Sequence, residues 1–207
     1  STLAELVERK SIAPEDEQGL KKIHLIQEEA NRLKIGSQQL LKTLSGLAHL
    51  QINRSEFNLK DELLALLEKQ RLANHGQKDL QLQLRYLVES ETAYVSHFYL
   101  LGAIQNLLDN AVKYSGKAPH VTVICYQKRG TLVIEVRDNG VGIPKKQQKH
   151  IFNKYYQVNK GEPAHGKKGY GLGLNYVYNV VKAHKGRITV NSTPGKGSTF
   201  TIYISKW

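Results

Sequence analysis

Three short stretches of this 207-residue chain carry side chains whose spacing suits chemistry as well as packing. The first is Asn106-Leu107-Leu108-Asp109-Asn110-Ala111-Val112-Lys113-Tyr114-Ser115. On a helix, Asn106, Asn110 and Lys113 fall at i, i+4 and i+7 and share one face, while Leu107, Leu108, Ala111 and Val112 supply a buried side. Amide oxygens can complete the shell of Mg²⁺, which keeps most of its oxygen ligands from water and phosphate. A lysine one turn further on can meet phosphate oxygens. A solvent-facing stripe would use the same residue types, so this stretch alone leaves both readings open.

The second stretch, Asp138-Asn139-Gly140-Val141-Gly142-Ile143-Pro144, directly follows the apolar segment Leu132 to Val136. Its glycines let backbone come close to a flat ring or take φ values closed to other residues. An aspartate at a strand end can accept the exocyclic amino group of adenine, a hydrogen bond guanine could not reproduce. Asp-Asn-Gly is also an ordinary turn. The third stretch, Gly166 to Leu174, reads Gly-Lys-Lys-Gly-Tyr-Gly-Leu-Gly-Leu. A glycine-rich turn feeding a helix N-terminus exposes backbone N–H groups to an anion, aided by the helix dipole.

Charge placement agrees with a phosphate-bearing ligand. The formal net charge is +12, and 10 of the 30 basic residues (Lys145, Lys146, Lys149, Lys154, Lys160, Lys167, Lys168, Lys182, Lys185 and Arg187) lie in one tract with a single acid, Glu162. Interleaved with glycines, that tract suits a polyphosphate pocket better than nucleic acid, although a run of charge is also what a solvated face looks like. Hydrophobic residues make up 40% and charged residues 23%, as in soluble globular proteins. No apolar run approaches the roughly 20 residues that cross a bilayer. Cys125 is the lone cysteine, which is comfortable in the cytosol. With no Met and a start inside a helical pattern, the chain reads as an excised piece of something longer.

These stretches need elements to hold them. A helix is expected from Pro14 to Ile52, with seam positions stepping 3, 4, 3, 4 through Ile23, Ile26, Ala30, Leu33, Ser37, Leu40, Leu44 and Leu47, of which only Ser37 is polar. Such a seam asks for a partner helix in a bundle or coiled coil, or lies on its own domain. Next come an extended piece at Glu56 to Leu59, a helix from Lys60 to Asn74 ending near Gly76, and an alternating strand from Leu80 to Tyr86. A helix over Val95 to Tyr114 precedes strands at Val121 to Tyr126 and Leu132 to Val136. A loop from Gly140 to Gly169 with one short helical patch leads to a helix over Leu172 to Ala183. A hairpin, Arg187 to Val190 and Thr199 to Ile204, turns through Pro194-Gly195-Lys196-Gly197. This order predicts residues 55–207 as an α+β two-layer sandwich, one mixed sheet with helices on one face, preceded over residues 1–54 by a fragment of an α-helical hairpin.

Taken together and in order, the three stretches resemble the N box, G1 box and G2 box of the ATP-binding domain of sensor histidine kinases, whose Bergerat-type fold is shared with DNA gyrase B, the heat-shock ninety chaperone and MutL. Ile151-Phe152-Asn153-Lys154-Tyr155-Tyr156-Gln157 resembles the F box, and Gly186-Arg187-Ile188 through Gly197-Ser198-Thr199-Phe200 the terminal hairpin; the resemblance covers roughly Phe57 to Ile204. It implies ATP and Mg²⁺ as cofactors. Asn110 would ligate Mg²⁺, with Asn106 beside it near the phosphates, Lys113 on phosphate and Tyr114 beside the adenine. Asp138 would read the adenine between Gly140 and Gly142. Gly169, Gly171 and Gly173 would let a mobile lid, about Asn153 to Tyr170, close over the phosphates. Ile143, Phe152, Tyr156, Lys168, Tyr170, Leu172, Leu174 and Thr199 complete the implied ATP contacts.

The same resemblance implies a protein histidine kinase of two-component signal transduction. ATP-hydrolysing relatives place a Glu four residues before the Mg²⁺-ligating Asn as general base, where this chain has Asn106. Phosphoryl transfer to histidine, which needs mainly positioning and charge neutralisation, is therefore expected over hydrolysis. Residues 1–54 resemble the later part of the dimerisation hairpin. No His-Glu followed by Thr-Pro occurs, and neither His24 nor His49 precedes an acid, so the acceptor histidine is expected outside these residues. Expected partners are a response regulator receiver domain and a second copy of the full-length protein, with no nucleic acid. The whole is expected to be the cytoplasmic part of an inner-membrane sensor. An ATP-hydrolysing relative and an inert interaction module are the rival readings.

Overall fold

The computed structural model describes residues 52–74, 79–116, 118–158, 170–205 and 207, all within the second of the two units into which the chain divides, Gly46–Trp207. The helix expected from Pro14 (Ile52 apart), its seam, His24 and His49, and Lys168 and Gly169 lie outside the described residues. Helix formation past Asn58 has a local cause. The Asn58 side chain accepts from the Asp61 N–H at 3.0 Å, and Asp61 and Glu62 stand in the first turn, where a cap and negative charge meet unsatisfied N–H groups. Strand β1 (Ser55–Asn58) thus runs straight into helix α1 (Leu59–Ala73), followed by β2 (Gln81–Leu87), β3 (Thr92–Val95), α2 (His97–Tyr114), β4 (His120–Lys128), β5 (Thr131–Asp138), α3 (Lys145–Gln148), α4 (Gly173–Ala183), β6 (Arg187–Thr193) and β7 (Gly197–Ser205).

Five strands form the main sheet in the order β2-β4-β5-β7-β6. β2 pairs parallel to β4 and the other pairs are antiparallel, so the sheet is mixed. Because side chains alternate across a strand, register decides which residues share a face. Tyr86, Cys125, Ile134, Ile202 and Ile188 form one row, and Leu84, Val123, Val136, Phe200 and Val190 the next. Both rows belong to or pack on the hydrophobic core, together with α2's Leu100, Ile104, Leu107 and Leu108, each no more than 1% exposed. Each such side chain removed from water contributes roughly 1.5–3 kcal/mol. The third row changes character: Leu82 and Val121 continue it, but Asp138, Ser198 and Ser192 complete it. The apolar face thus ends in a polar corner.

The α+β architecture and mixed sheet are as the sequence predicts, with one correction. β1 does not join the main sheet. It pairs antiparallel with β3 as a separate two-stranded sheet. The sequence pattern starts a helix at Val95 and gives Thr92 to Tyr94 no strand. In the structure Ala93 and Val95 are buried and Tyr94 is exposed, an alternation too short to separate from a helix start by periodicity. Ser96 breaks the run with extended backbone, and α2 begins after it.

A buried histidine ties the start of α2 to the end of α4. The Ser96 N–H donates to His184 Nε2 at 3.1 Å, and His184 Nδ1 lies 2.8 Å from the Val180 carbonyl. With Nε2 accepting, Nδ1 must carry the proton that goes to Val180, which fixes a neutral imidazole. His184 is fully buried, and burial pushes its pKa down, partly opposed by the bond to Val180. This clasp sets the start of α2 against the end of α4. Among the described residues no helix is long and apolar enough to cross a membrane.

Candidate functional site

On α2, Asn106, Asn110 and Lys113 are all half-buried, while Leu107, Leu108, Ala111 and Val112 are buried. The face expected from their spacing therefore exists. The Asn106 Nδ2 donates to the Gly102 carbonyl at 2.7 Å, which turns its oxygen outward. α4 begins directly opposite. A Cβ placed on Gly173 would sit 3.0 Å from Asn106 Oδ1 and 4.0 Å from Asn110 Nδ2. Glycine at this position lets the first turn of α4, with its free N–H groups, stand against both amides. The first and third stretches meet here. One turn along, Tyr176 packs its hydroxyl against Gly102, and its ring is buried.

The second stretch is held by the end of the first. The Val141 N–H donates to the Tyr114 carbonyl at 3.1 Å. Asp138 ends β5, and its Oδ1 accepts both the Gly140 N–H at 2.8 Å and the Ser198 N–H at 3.1 Å. Its Oδ2 has no hydrogen-bond partner among the described residues. Burial raises the Asp138 pKa, and the two backbone bonds pull it back toward the ordinary carboxylate value. A half-buried carboxylate is thus oriented by backbone with one oxygen left to offer.

The loop after Asp138 leans on the β6–β7 turn. Gly142 has φ +70, and a Cβ there would lie 2.1 Å from the Thr193 carbonyl oxygen, so no other residue fits. The Gly195 N–H closes onto the Val141 carbonyl at 2.8 Å. The Ile151-Phe152-Asn153-Lys154-Tyr155-Tyr156-Gln157 segment is anchored as well. The Asn175 side chain of α4 donates to the Phe152 carbonyl at 2.8 Å, and the Tyr155 N–H to the Gly171 carbonyl at 2.9 Å.

Asn106, Asn110 and Gly173 are thus brought together, as are Tyr114, Asp138, Gly140, Gly142 and Ile143, and Phe152, Tyr156 and Gly171. Leu172 is buried and Leu174 half-buried at the start of α4. The Lys113 ammonium lies 5.0 Å from the centre of the Tyr114 ring, which is itself half exposed. Tyr170 projects, 57% exposed. Thr199 is set apart: it pairs with Arg137 and Asn191, on the face of the sheet opposite Asp138. Its neighbour Ser198 is the residue that touches Asp138. Ser198, Ser192 and Gln148 are absent from the sequence-derived set. Pairing of β5 with β7 in register was the signal that singles out Ser198. A depression of about 350 Å³ lined by Asn53, Ser55, Ser96, His97, Phe98 and Tyr99 lies at the far end of α2, away from these groups.

The corner fits an adenine nucleotide with Mg²⁺ on two observations: a half-buried carboxylate with one oxygen unpartnered among the described residues, and a glycine cradle that a Cβ would fill beside two amides. Comparison with known proteins gives a consistent result. The family model described as histidine kinase-, DNA gyrase B-, and HSP90-like ATPase matches residues 99–206. The adaptive-response sensory kinase SasA of Gloeothece citriformis (strain PCC 7424) is 32% identical over 171 residues, 82% of this chain and 42% of its own length. Among solved structures, full-length ShkA in complex with AMPPNP superimposes with a TM-score of 0.76 at 19% identity, covering 89% of this chain and 38% of that one. Histidine kinase ThkA in complex with the response regulator protein TrrA does so with a TM-score of 0.71 at 17% identity, covering 96% of this chain and 54% of that one. The chain spans 22% and 42% of the length of two curated relatives it matches.

Proposed function

This chain belongs to the histidine kinase-, DNA gyrase B-, and HSP90-like ATPase family, and from that premise we propose that it binds Mg-ATP as the catalytic part of a two-component sensor kinase. The observation that carries the reading is the Asp138 carboxylate, whose Oδ1 is saturated by the Gly140 and Ser198 N–H groups while Oδ2 has no partner among the described residues. That free oxygen accepts the 6-amino group of adenine. A guanine would bring a carbonyl to the same place, and two acceptors would face each other.

Asn110 and Asn106, with the first turn of α4 at Gly173, line the place for the triphosphate. Mg²⁺ held there through Asn110 would neutralise phosphate charge. Lys113 adds a positive charge from the next turn, and the free N–H groups at the start of α4 favour an anion. Gly171 would let the lid expected over about Asn153 to Tyr170 close over the phosphates; Lys168 and Gly169 of that lid lie outside the described residues. Phe152, Tyr156, Ile143, Leu172, Leu174 and Tyr170 bound the pocket, with Tyr114 beside the base. In the longer protein the γ-phosphoryl passes to a histidine on the dimerisation helix, then to an aspartate of a response regulator receiver domain. The histidine kinase and response regulator named in the solved complex that shares this fold support that partner. The parent is an inner-membrane sensor that acts as a homodimer through a helical hairpin that includes residues 1–54; this chain is its cytoplasmic part and does not bind nucleic acid.

Transfer is favoured over hydrolysis because Asn106 stands where a base would be needed. Its nitrogen is committed to the Gly102 carbonyl, and an amide oxygen is too weak a base to activate water. Incubation with γ-labelled ATP and Mg²⁺ tests this. The chain should bind nucleotide and release phosphate at background rate. Steady release abolished by Asn110→Ala would establish the ATPase reading instead, and an acid-labile, alkali-stable label on His24 or His49 would place the acceptor inside this chain.

A further inference from the structure

The loop that follows Asp138 is stitched to the β6–β7 hairpin by the side chains of Gln148 and Ser192. Gln148, in the single turn α3, is 7% exposed. Its Nε2 donates at once to the Ile143 carbonyl and to the Ser192 carbonyl, both at 2.8 Å. The Ile143 N–H in turn donates to Ser192 Oγ at 2.8 Å. Ser192 Oγ donates to the Gly197 carbonyl at 2.9 Å and lies 3.0 Å from Ser198 Oγ. With its own proton on Gly197, Ser192 Oγ accepts from Ser198. Ser198 then carries the N–H that orients Asp138. A continuous chain of hydrogen bonds therefore runs from Gln148 through Ile143, Ser192 and Ser198 to the carboxylate.

A buried amide that bridges two carbonyls of different elements is costly to leave unsatisfied, and the bridge joins the two backbones that flank the base. Ile143 and Gly140 form one wall, Ser198 and Gly197 the other. Fixing the separation of these walls fixes where Asp138 Oδ2 points. We propose that Gln148 and Ser192 are positioning residues that set base selectivity by holding Asp138 in place, an inference that rests on the adenine-reading role proposed above.

The test compares Mg-ATP with Mg-ITP, whose base differs at position 6 by carrying a carbonyl in place of the amino group. Dissociation constants are measured by competition against a fluorescent adenine nucleotide, on the whole chain and on Gln148→Leu, Ser192→Ala and the double variant. A residue that merely stabilises the fold would weaken both nucleotides equally. Here ATP affinity should fall about tenfold in each single variant while ITP affinity stays within twofold, so that selectivity collapses. A single chain of bonds should also make the double variant lose no more than either single one, where independent effects would add. The Ile143 amide should lose hydrogen-exchange protection in both. Unchanged ATP/ITP selectivity in a folded Gln148→Leu overturns the proposal. If Gln148→Leu fails to fold by circular dichroism, Ser192→Ala decides by the same criterion. Failure of the wild-type chain to prefer ATP over ITP would instead remove the role of Asp138 itself, a distinct outcome visible before any variant is made.

Discussion

Asp138→Asn keeps the shape of the side chain and changes what its outer atom offers. Oδ1 can still accept the Gly140 and Ser198 N–H groups, at 2.8 and 3.1 Å in the wild type. The second position then becomes an NH₂, a donor pointed at the donor amino group of adenine. A hydrogen bond to a charged group contributes about 1.5–3 kcal/mol, so ATP affinity should fall on the order of ten- to a hundredfold. Rotating the amide by half a turn restores the acceptor only by breaking both backbone bonds. The empty protein should respond in the opposite sense. Burial raises the Asp138 pKa, so between the ordinary carboxylate value and the raised one the folded chain holds more protons than the unfolded chain. Stability of the unliganded wild type therefore declines as pH rises through that window, and above it the ionised carboxylate is a standing penalty. Asp138→Asn removes the titration, so its melting temperature without nucleotide at neutral pH should equal or exceed that of the wild type. Calorimetric titration with Mg-ATP and thermal melts of the empty protein read the two effects separately. Weakened binding accompanied by an equally marked loss of melting temperature would refute the reasoning, because Asp138 would then be holding the fold.

Other perturbations reach the remaining parts of the site. Asn110→Ala should remove the dependence of nucleotide affinity on Mg²⁺ while leaving Mg²⁺-free binding near its wild-type value, which titrations with and without EDTA distinguish. Gly173→Ala places a methyl 3.0 Å from Asn106 Oδ1 and should weaken ATP binding about tenfold with little change in melting temperature, since the clash falls on a side chain at the edge of the core. His184 has its pKa lowered by burial, so below the ordinary histidine value the unfolded chain takes up protons that the folded chain refuses. Stability should fall as pH drops from about 6.5 toward the depressed value, and His184→Ala, which also strands the Ser96 N–H, should cost about 2–4 kcal/mol in urea unfolding.

Much of the frame was legible because it is written in long periodic segments. The apolar side of α2 repeats over 18 residues, and β4, β5 and β7 are long enough for alternation to show. Asn106, Asn110 and Lys113 share a face for the same reason, and Asp138 is marked by the strand it ends. The β1–β3 pair was not legible, since β3 is four residues long and its partner lies 38 positions away at Glu56↔Tyr94. Ser198 was missed for a related reason. Choosing between Ser198 and Thr199 requires the register of β7 against β5, and a shift of one residue exchanges the two faces. Gln148 and Ser192 are common polar residues, and only the tertiary fold brings the Gln148 amide to the Ile143 and Ser192 carbonyls. His184 sits in a His-Lys-Gly sequence that marks a helix end, and nothing local says that the Ser96 N–H meets its Nε2.

In the proposed site, one oriented carboxylate and two amides on neighbouring elements together select an adenine nucleotide. Calorimetric titration of the whole chain with a non-hydrolysable ATP analogue and with the matching GTP analogue, each with Mg²⁺ in excess, tests it most directly. Saturable binding of the adenine compound at one site per chain is expected, with the guanine compound at least tenfold weaker. No heat from either compound at millimolar concentration, or equal affinity for both, would contradict it.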